Sequence, residues 1–80
     1  MKTVGYRRDA ARSLLALPPK VQAQIVAKLA RYAETGAGNV TALKGHPGKR
    51  LRSGDYRVVF IETAEAIDVL AVGHRKHVYD

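Results

Sequence analysis

Cysteine is absent from this 80-residue chain, which removes disulfides and thiolate metal sites as ways to staple a small fold. Long apolar runs are absent too. No segment approaches the roughly 18 consecutive apolar residues of a membrane span. The opening residues, with Lys2, Arg7, Arg8 and Arg12 among them, lack the apolar stretch of a secretory signal. The expectation is a soluble, cytoplasmic protein that does not engage a membrane. Acidic residues are scarce as well: 7 Asp and Glu stand against 14 Lys and Arg, a net charge of +7. An excess of that size in one small domain favours an anionic partner. What the chain does have is a globular composition, 46% hydrophobic and 26% charged, enough to form a thin core in a single domain over residues 1–80.

The hydrophobic period changes once along the chain. Residues 2–6, with β-branched Thr3 and Val4, read as an opening strand. Asp9 is positioned to cap a first helix that carries Ala11, Leu14 and Leu15 on one face. The pair Pro18-Pro19 ends it, because a residue before proline is pushed out of helical geometry, and proline suits the first turn of the next helix. That second helix runs to about Glu34, with Val21, Ile25, Leu29 and Ala33 at four-residue spacing. Residues 36–48 are rich in glycine and read as loop. Beyond them, residues 49–52, 56–62 and 66–75 form three strands of an antiparallel meander. The order β-α-α-β-β-β predicts an α+β domain with a helical hairpin packed on a small antiparallel sheet.

Strand alternation then locates the basic residues. A two-residue turn at 53–54 puts Arg50 opposite Arg57; moving the turn by one residue leaves Arg50, Arg52 and Arg57 on a common face. A three-residue turn at 63–65 sets Val59 opposite Val69 and carries Arg75 to the same side. The opposite face collects Leu51, Val58, Phe60, Leu70 and Val72 for packing under the helices. The apolar part of the arginine face is then Val59, Ile61, Ile67 and Val69, uncovered and open to a partner. Like charges facing one another across strands are destabilising, so a chain that keeps them has a use for them. Arginine matches phosphate in a bidentate fork. A solvated face that discourages edge pairing is the plainer reading.

Segments 43–45, 50–60 and 72–79 carry a further signal. The pattern R-x-R-x-G-x-Y-R over residues 50–57, followed by G-H-R-K-x-V-Y over residues 73–79, resembles the RelE/ParE toxin superfamily, and the order of elements is similar along nearly the whole chain. The resemblance implies the toxin of a type II toxin–antitoxin system, with a cognate antitoxin folded around it. For the RelE-like branch it implies a ribosome-dependent endoribonuclease that cuts mRNA and inhibits translation, without metal or cofactor. DNA is then met only at the operator, through the antitoxin complex. For the ParE-like branch it implies a non-catalytic inhibitor of DNA gyrase. A third alternative is an inactive or regulatory module that acts with its antitoxin.

The basic set of the RelE-like branch falls on Arg50, Arg57 and Arg75, with Tyr79 close behind, which tilts the reading toward RNA. The pattern departs at the second strand, where the branch has two lysines two apart: here Arg50 stands at one position and Gly48 at the other, with Lys49 out of phase. Arginine does not deprotonate in proteins, so it is a poor general base. His77 is therefore added as a proton-transfer candidate, with His74 and His46 behind it. Lys44, Lys49, Arg52 and Lys76 read as sequence-tolerant phosphate contacts. His74 and His77 lack a third ligand at suitable spacing, so no metal site is expected.

Overall fold

A computed structural model describes residues 1–78 of the chain. It opens with strand β1 (Thr3–Tyr6), then helices α1 (Arg8–Leu15) and α2 (Pro19–Thr35). Strands β2 (Val40–Ala42), β3 (Lys49–Ser53), β4 (Tyr56–Glu62) and β5 (Ala66–His74) follow. They make one sheet in the order β1-β5-β4-β3-β2, antiparallel throughout except that β1 lies parallel to β5. The α+β class and the β-α-α-β-β-β framework are as expected. Two details of the strand layout differ from the expectation. The sheet is mixed rather than antiparallel, because the helical hairpin carries the chain over the sheet and back before β5 meets β1. The glycine-rich loop also contains a short edge strand, β2, whose three residues are too few to show a period.

Each helix ends where local chemistry directs. Asp9 does not cap α1: Arg7 occupies the cap position, and Asp9 lies inside the first turn, where a carboxylate still complements the helix dipole. Proline 19 opens α2, and Gly36 closes it in the left-handed conformation at φ 74°, a conformation glycine adopts without a Cβ penalty. The buried stripe of α2 is Ile25, Leu29 and Ala33, as its spacing predicts, while α1 buries Ala10 and Leu14 and leaves Leu15 exposed. These meet Leu51, Val58, Phe60, Ile67, Val69 and Val72 of the sheet in one core.

The β3–β4 turn falls at Gly54-Asp55, so Ser53 pairs with Tyr56 and Arg52 with Arg57. This is the alternative shifted by one residue. Gly54 decides it with φ 59°, the positive angle required at the first central position of a type II′ hairpin. A glycine one place earlier or later would have selected another register.

The β4–β5 hairpin corrects a larger part of the expectation. Glu62 pairs with Ile67 and Phe60 with Val69, but Val59 pairs with Ala71, with an irregularity between Val59 and Phe60. Leu70 is the extra residue, half-buried rather than in the core. A bulge of this kind switches the facing of every residue beyond it. Ile67 and Val69 are consequently fully buried under the helices, not uncovered on the arginine face. Of the four apolar residues expected there, only Val59 and Ile61 retain that facing.

Replacing Gly54 by alanine forces an L-residue into a left-handed angle, at a cost of about 1–2 kcal/mol. Urea denaturation will show a lowered midpoint with the slope unchanged.

Candidate nucleic-acid interface

One face of the sheet lies under the helices, and the other carries the arginines. Alternation from the observed register puts Arg50 and Arg52 of β3 and Arg57 of β4 on this second face, with Thr41 of β2 opposite Arg50. Arg52 and Arg57 are direct cross-strand partners. Arg57 is held by its own hairpin, since its guanidinium donates to the Gly54 carbonyl at 2.7 Å and the Tyr56 carbonyl at 3.0 Å. Arg50 is half-buried and Arg52 exposed. Val59, beside them on β4, is only 8% exposed, although it stands outside the core cluster under the helices.

Arg75 follows the end of β5. Its backbone N–H donates to the Asp55 carbonyl at 2.8 Å, and its side chain stands 3.9 Å from the Asp55 carboxylate. The C-terminal end of the sheet is therefore tied to the β3–β4 turn, which brings Arg75 toward Arg57. From His74 the chain turns back, and Val78 settles over Gly73, where a Cβ would stand 3.6 Å from that of Val78. Gly73 pairs with Arg57, so this turn closes one side of the arginine face. Tyr79 lies outside the described residues.

The remaining candidates separate. Lys44 and Lys76 are exposed in turns on either side of the strands. Lys49 is not brought to the arginine face: it shares the parity of Leu51, and its ammonium donates to Glu62 at 2.7 Å on the helix side. His74 also faces the helix side, with its ring edge-on to Tyr56 at 5.7 Å. Its Nδ1 accepts the Lys76 N–H. His77 is exposed beside it, with ring centroids 6.0 Å apart. Among the described residues no three His, Asp or Glu side chains gather in a group able to hold a metal ion. No described helix is long and apolar enough to cross a membrane.

Glu62 gathers cations away from the arginines. Its carboxylate accepts from Lys2, Lys49 and the Tyr32 hydroxyl. The Lys2 hydrogen bond, then that of Lys49, hold it down to about 2 against the opposing effect of partial burial. The same contact raises the Lys49 ammonium, while burial and the Glu62 bond raise the Tyr32 hydroxyl. Neither the pairing of Lys2 with residue 62 nor the tilted Tyr32–Phe60 contact beside it, at 5.6 Å, leaves a local trace in the sequence. A basic cleft of about 250 Å³ also escaped the strand-based reading: Lys28 and Arg31 of α2 join Arg52, Asn39 and Leu51 around it. Helical spacing puts Lys28 and Arg31 on one side of α2, but only the packing of α2 on β3 brings them to Arg52.

The family model of the ParE toxin of the type II toxin–antitoxin system parDE matches residues 4–79. The chain belongs to this family, within the RelE/ParE superfamily, and is a type II toxin. No curated protein sequence matches it. Among solved structures, the intact RelBE toxin–antitoxin complex of E. coli aligns with TM-score 0.74 and 26% identity, over 92% of this chain and 96% of that one. The archaeal RelE–RelB complex from Pyrococcus horikoshii aligns with TM-score 0.79 and 20% identity, over 96% and 98%. The RelB–RelE complex from Methanococcus jannaschii gives 0.77 and 21%, over 94% of each chain. The last two likenesses speak for the fold.

The Glu62 cluster sets a pH dependence. Its folded value, about 2, lies below the 4.5 of the free group, so its stabilisation is complete above about pH 4.5 and is lost as pH falls toward 2. Glu62→Gln, which leaves two lysines without their acid, will cost about 2 kcal/mol near neutrality. Thermal melts between pH 2 and 7 will show a shallower acid slope for this variant than for the wild type.

Proposed function

We propose that the arginine face binds RNA and that the protein is a ribosome-dependent mRNA endonuclease. One observation carries this reading: Arg50, Arg52 and Arg57 share the face turned away from the helices, with Arg75 drawn to its end by the Asp55 contacts. Acids are excluded from the strand that carries two of them, since none lies between Glu34 and Asp55. A surface intended only for solubility would not set Arg52 directly opposite Arg57, because opposed like charges weaken the sheet.

The chemistry is transfer of a phosphate from O5′ to O2′. The 2′-oxygen loses a proton and bonds to phosphorus, the bond to O5′ breaks, and O5′ takes up a proton. Arg57 and Arg50 stabilise charge on the non-bridging oxygens from fixed positions. Arg57 is well suited to this, because its guanidinium is already oriented by two carbonyls and loses little freedom on binding. Arg75 serves the leaving oxygen, and Tyr79 is the base-stacking candidate that the family resemblance supplies. Lys44, Lys76 and Arg52 add sequence-tolerant phosphate contacts. The reading needs neither metal nor cofactor.

The cognate partner is an acidic antitoxin segment, which suits a chain of net charge +7 and the basic cleft between α2 and β3. The complex meets operator DNA through the antitoxin, and the toxin acts in the cytoplasm. The family description, ParE toxin, and the glycine at position 48 favour a second reading, a non-catalytic inhibitor of DNA gyrase.

Induction of the protein, with mRNA 5′ ends mapped against reading frame, separates the two. The ribonuclease reading expects early cuts in phase with codons; intact mRNA with DNA-damage signalling favours gyrase. Arg57→Ala and Arg75→Ala are each expected to abolish growth arrest while antitoxin binding persists. Full toxicity in both variants would sink the ribonuclease reading. No effect of the wild type on growth, with antitoxin absent, would point instead to a regulatory module.

A further inference from the structure

The row of side chains along β3 has an apparent gap. Gly48 precedes Arg50 by two residues, and its carbonyl accepts the Leu43 N–H at 3.1 Å, continuing the β2–β3 ladder beyond Ala42 and Lys49. By alternation, a side chain at 48 would stand on the face of Arg50 and Arg52. That space is already filled. A Cβ on Gly48 would lie 2.7 Å from Nδ1 and 2.8 Å from Cε1 of His46, and 3.2 Å from the Phe60 carbonyl oxygen. The imidazole sits on the glycine, fixed by the Gly48 N–H, which donates to Nδ1 at 2.8 Å. Gly48 is buried, whereas His46 is exposed. The row therefore reads His46, Arg50, Arg52, with the first member supplied from two residues upstream.

The hydrogen bond also sets the tautomer. With the Nδ1 lone pair engaged by a backbone donor, the proton of the neutral ring is on Nε2, on the far side from that bond. We propose that His46 is a catalytic residue of the RNA site, whose Nε2–H donates to a non-bridging oxygen of the phosphate being transferred, next to Arg50. In this pose it stabilises charge and takes no proton from the 2′-hydroxyl, because its basic nitrogen is already committed. The inference rests on the ribonuclease reading of this face. It gives Gly48 a second purpose beside clearing the Phe60 carbonyl: a Cβ there would collide with the ring.

Single-turnover cleavage of an mRNA programmed in the ribosome tests this. The variants are His46→Ala, His46→Asn, Gly48→Ala and the double variant His46→Ala with Gly48→Ala. Removing one preorganised donor is expected to slow the first-order step about 100-fold, with ribosome affinity little changed. Asparagine keeps an acceptor near the position of Nδ1, so His46→Asn preserves the bond to the Gly48 N–H but lacks the Nε2 donor; it is expected to be as slow as His46→Ala. Gly48→Ala should slow cleavage in the presence of His46 but add no slowing to His46→Ala, so the double variant should cut no slower than His46→Ala. Wild-type rates in His46→Ala, or full activity in His46→Asn, would overturn the proposal and leave His46 as a turn-closing residue. Equal slowing by Gly48→Ala with and without His46, at unchanged melting temperature so that strain against the Phe60 carbonyl is ruled out, would also overturn it. A wild-type protein that binds the ribosome and leaves mRNA intact would instead overturn the ribonuclease reading, and this inference with it. Melting temperatures and antitoxin binding confirm that each variant is folded.

Discussion

The bulge at Leu70 is the constraint on which the two faces of this protein depend. A strand of nine residues (β5, Ala66–His74) with strict alternation can serve one facing only. Here the first half must present Ile67 and Val69 to the helices and the second half Val72, an odd-to-even switch that alternation forbids. One extra residue in the ladder resolves it. Every core position of β5 then lies beneath the helical hairpin, while Ala71 and Gly73 fall opposite Val59 and Arg57. Without the switch, a core-facing Val69 would turn Gly73 and Arg57 to opposite sides, and the turn over Gly73 could not close on the arginine face.

Much of the architecture was legible because it follows from periods and punctuation. Pro19 and Gly36 bracket α2, the stripe Ile25, Leu29, Ala33 gives its buried side, and Gly54 leaves the β3–β4 register few choices. The bulge was not legible, since Val69, Leu70 and Ala71 are all apolar and any of them could be the unpaired residue. Side-chain size and polarity carry no record of which one the ladder skips. Strand β2 was hidden for a related reason: a three-residue edge strand among glycines is defined by its partner Leu51 and its neighbours, not by its own composition.

The facing of the arginines was legible to the same depth. Arg50, Arg52 and Arg57 came out on one face because the alternation is local to one hairpin and its turn carries a glycine. Lys49 was grouped with them by charge, although its parity placed it with Leu51. The structure explains why a cation is tolerated there: Glu62 waits across the sheet on β4, with Lys2 arriving from the far end of the chain. That acid offers no local signal of its role, because its partners are 60 and 13 residues away in sequence. His46 shows the opposite case, in which the clue was local. A glycine in phase with two arginines is a vacancy in a row, and a histidine two residues earlier is long enough to fill it.

Net charge alone could not have divided these cations, because the helices are basic too. What divides them is which side of the sheet each enters and where along it the described acids stand: Asp68, on the face of Ile61, pairs with Arg7. On the covered side, Lys2 and Lys49 share one carboxylate, and the flexible ammonium suits a point contact that also closes part of the core's rim. On the other side stand arginines, whose planar fork loses little freedom when it meets an oxyanion. The placement of Asp55 fits the same division. It is the one acid in the turn that joins β3 to β4, and it reaches Arg75 rather than the cross-strand pair Arg52 and Arg57. Neutralising that pair would relieve repulsion within the sheet. Among the described residues the hairpin instead carries this repulsion, and its nearest acid is turned to Arg75.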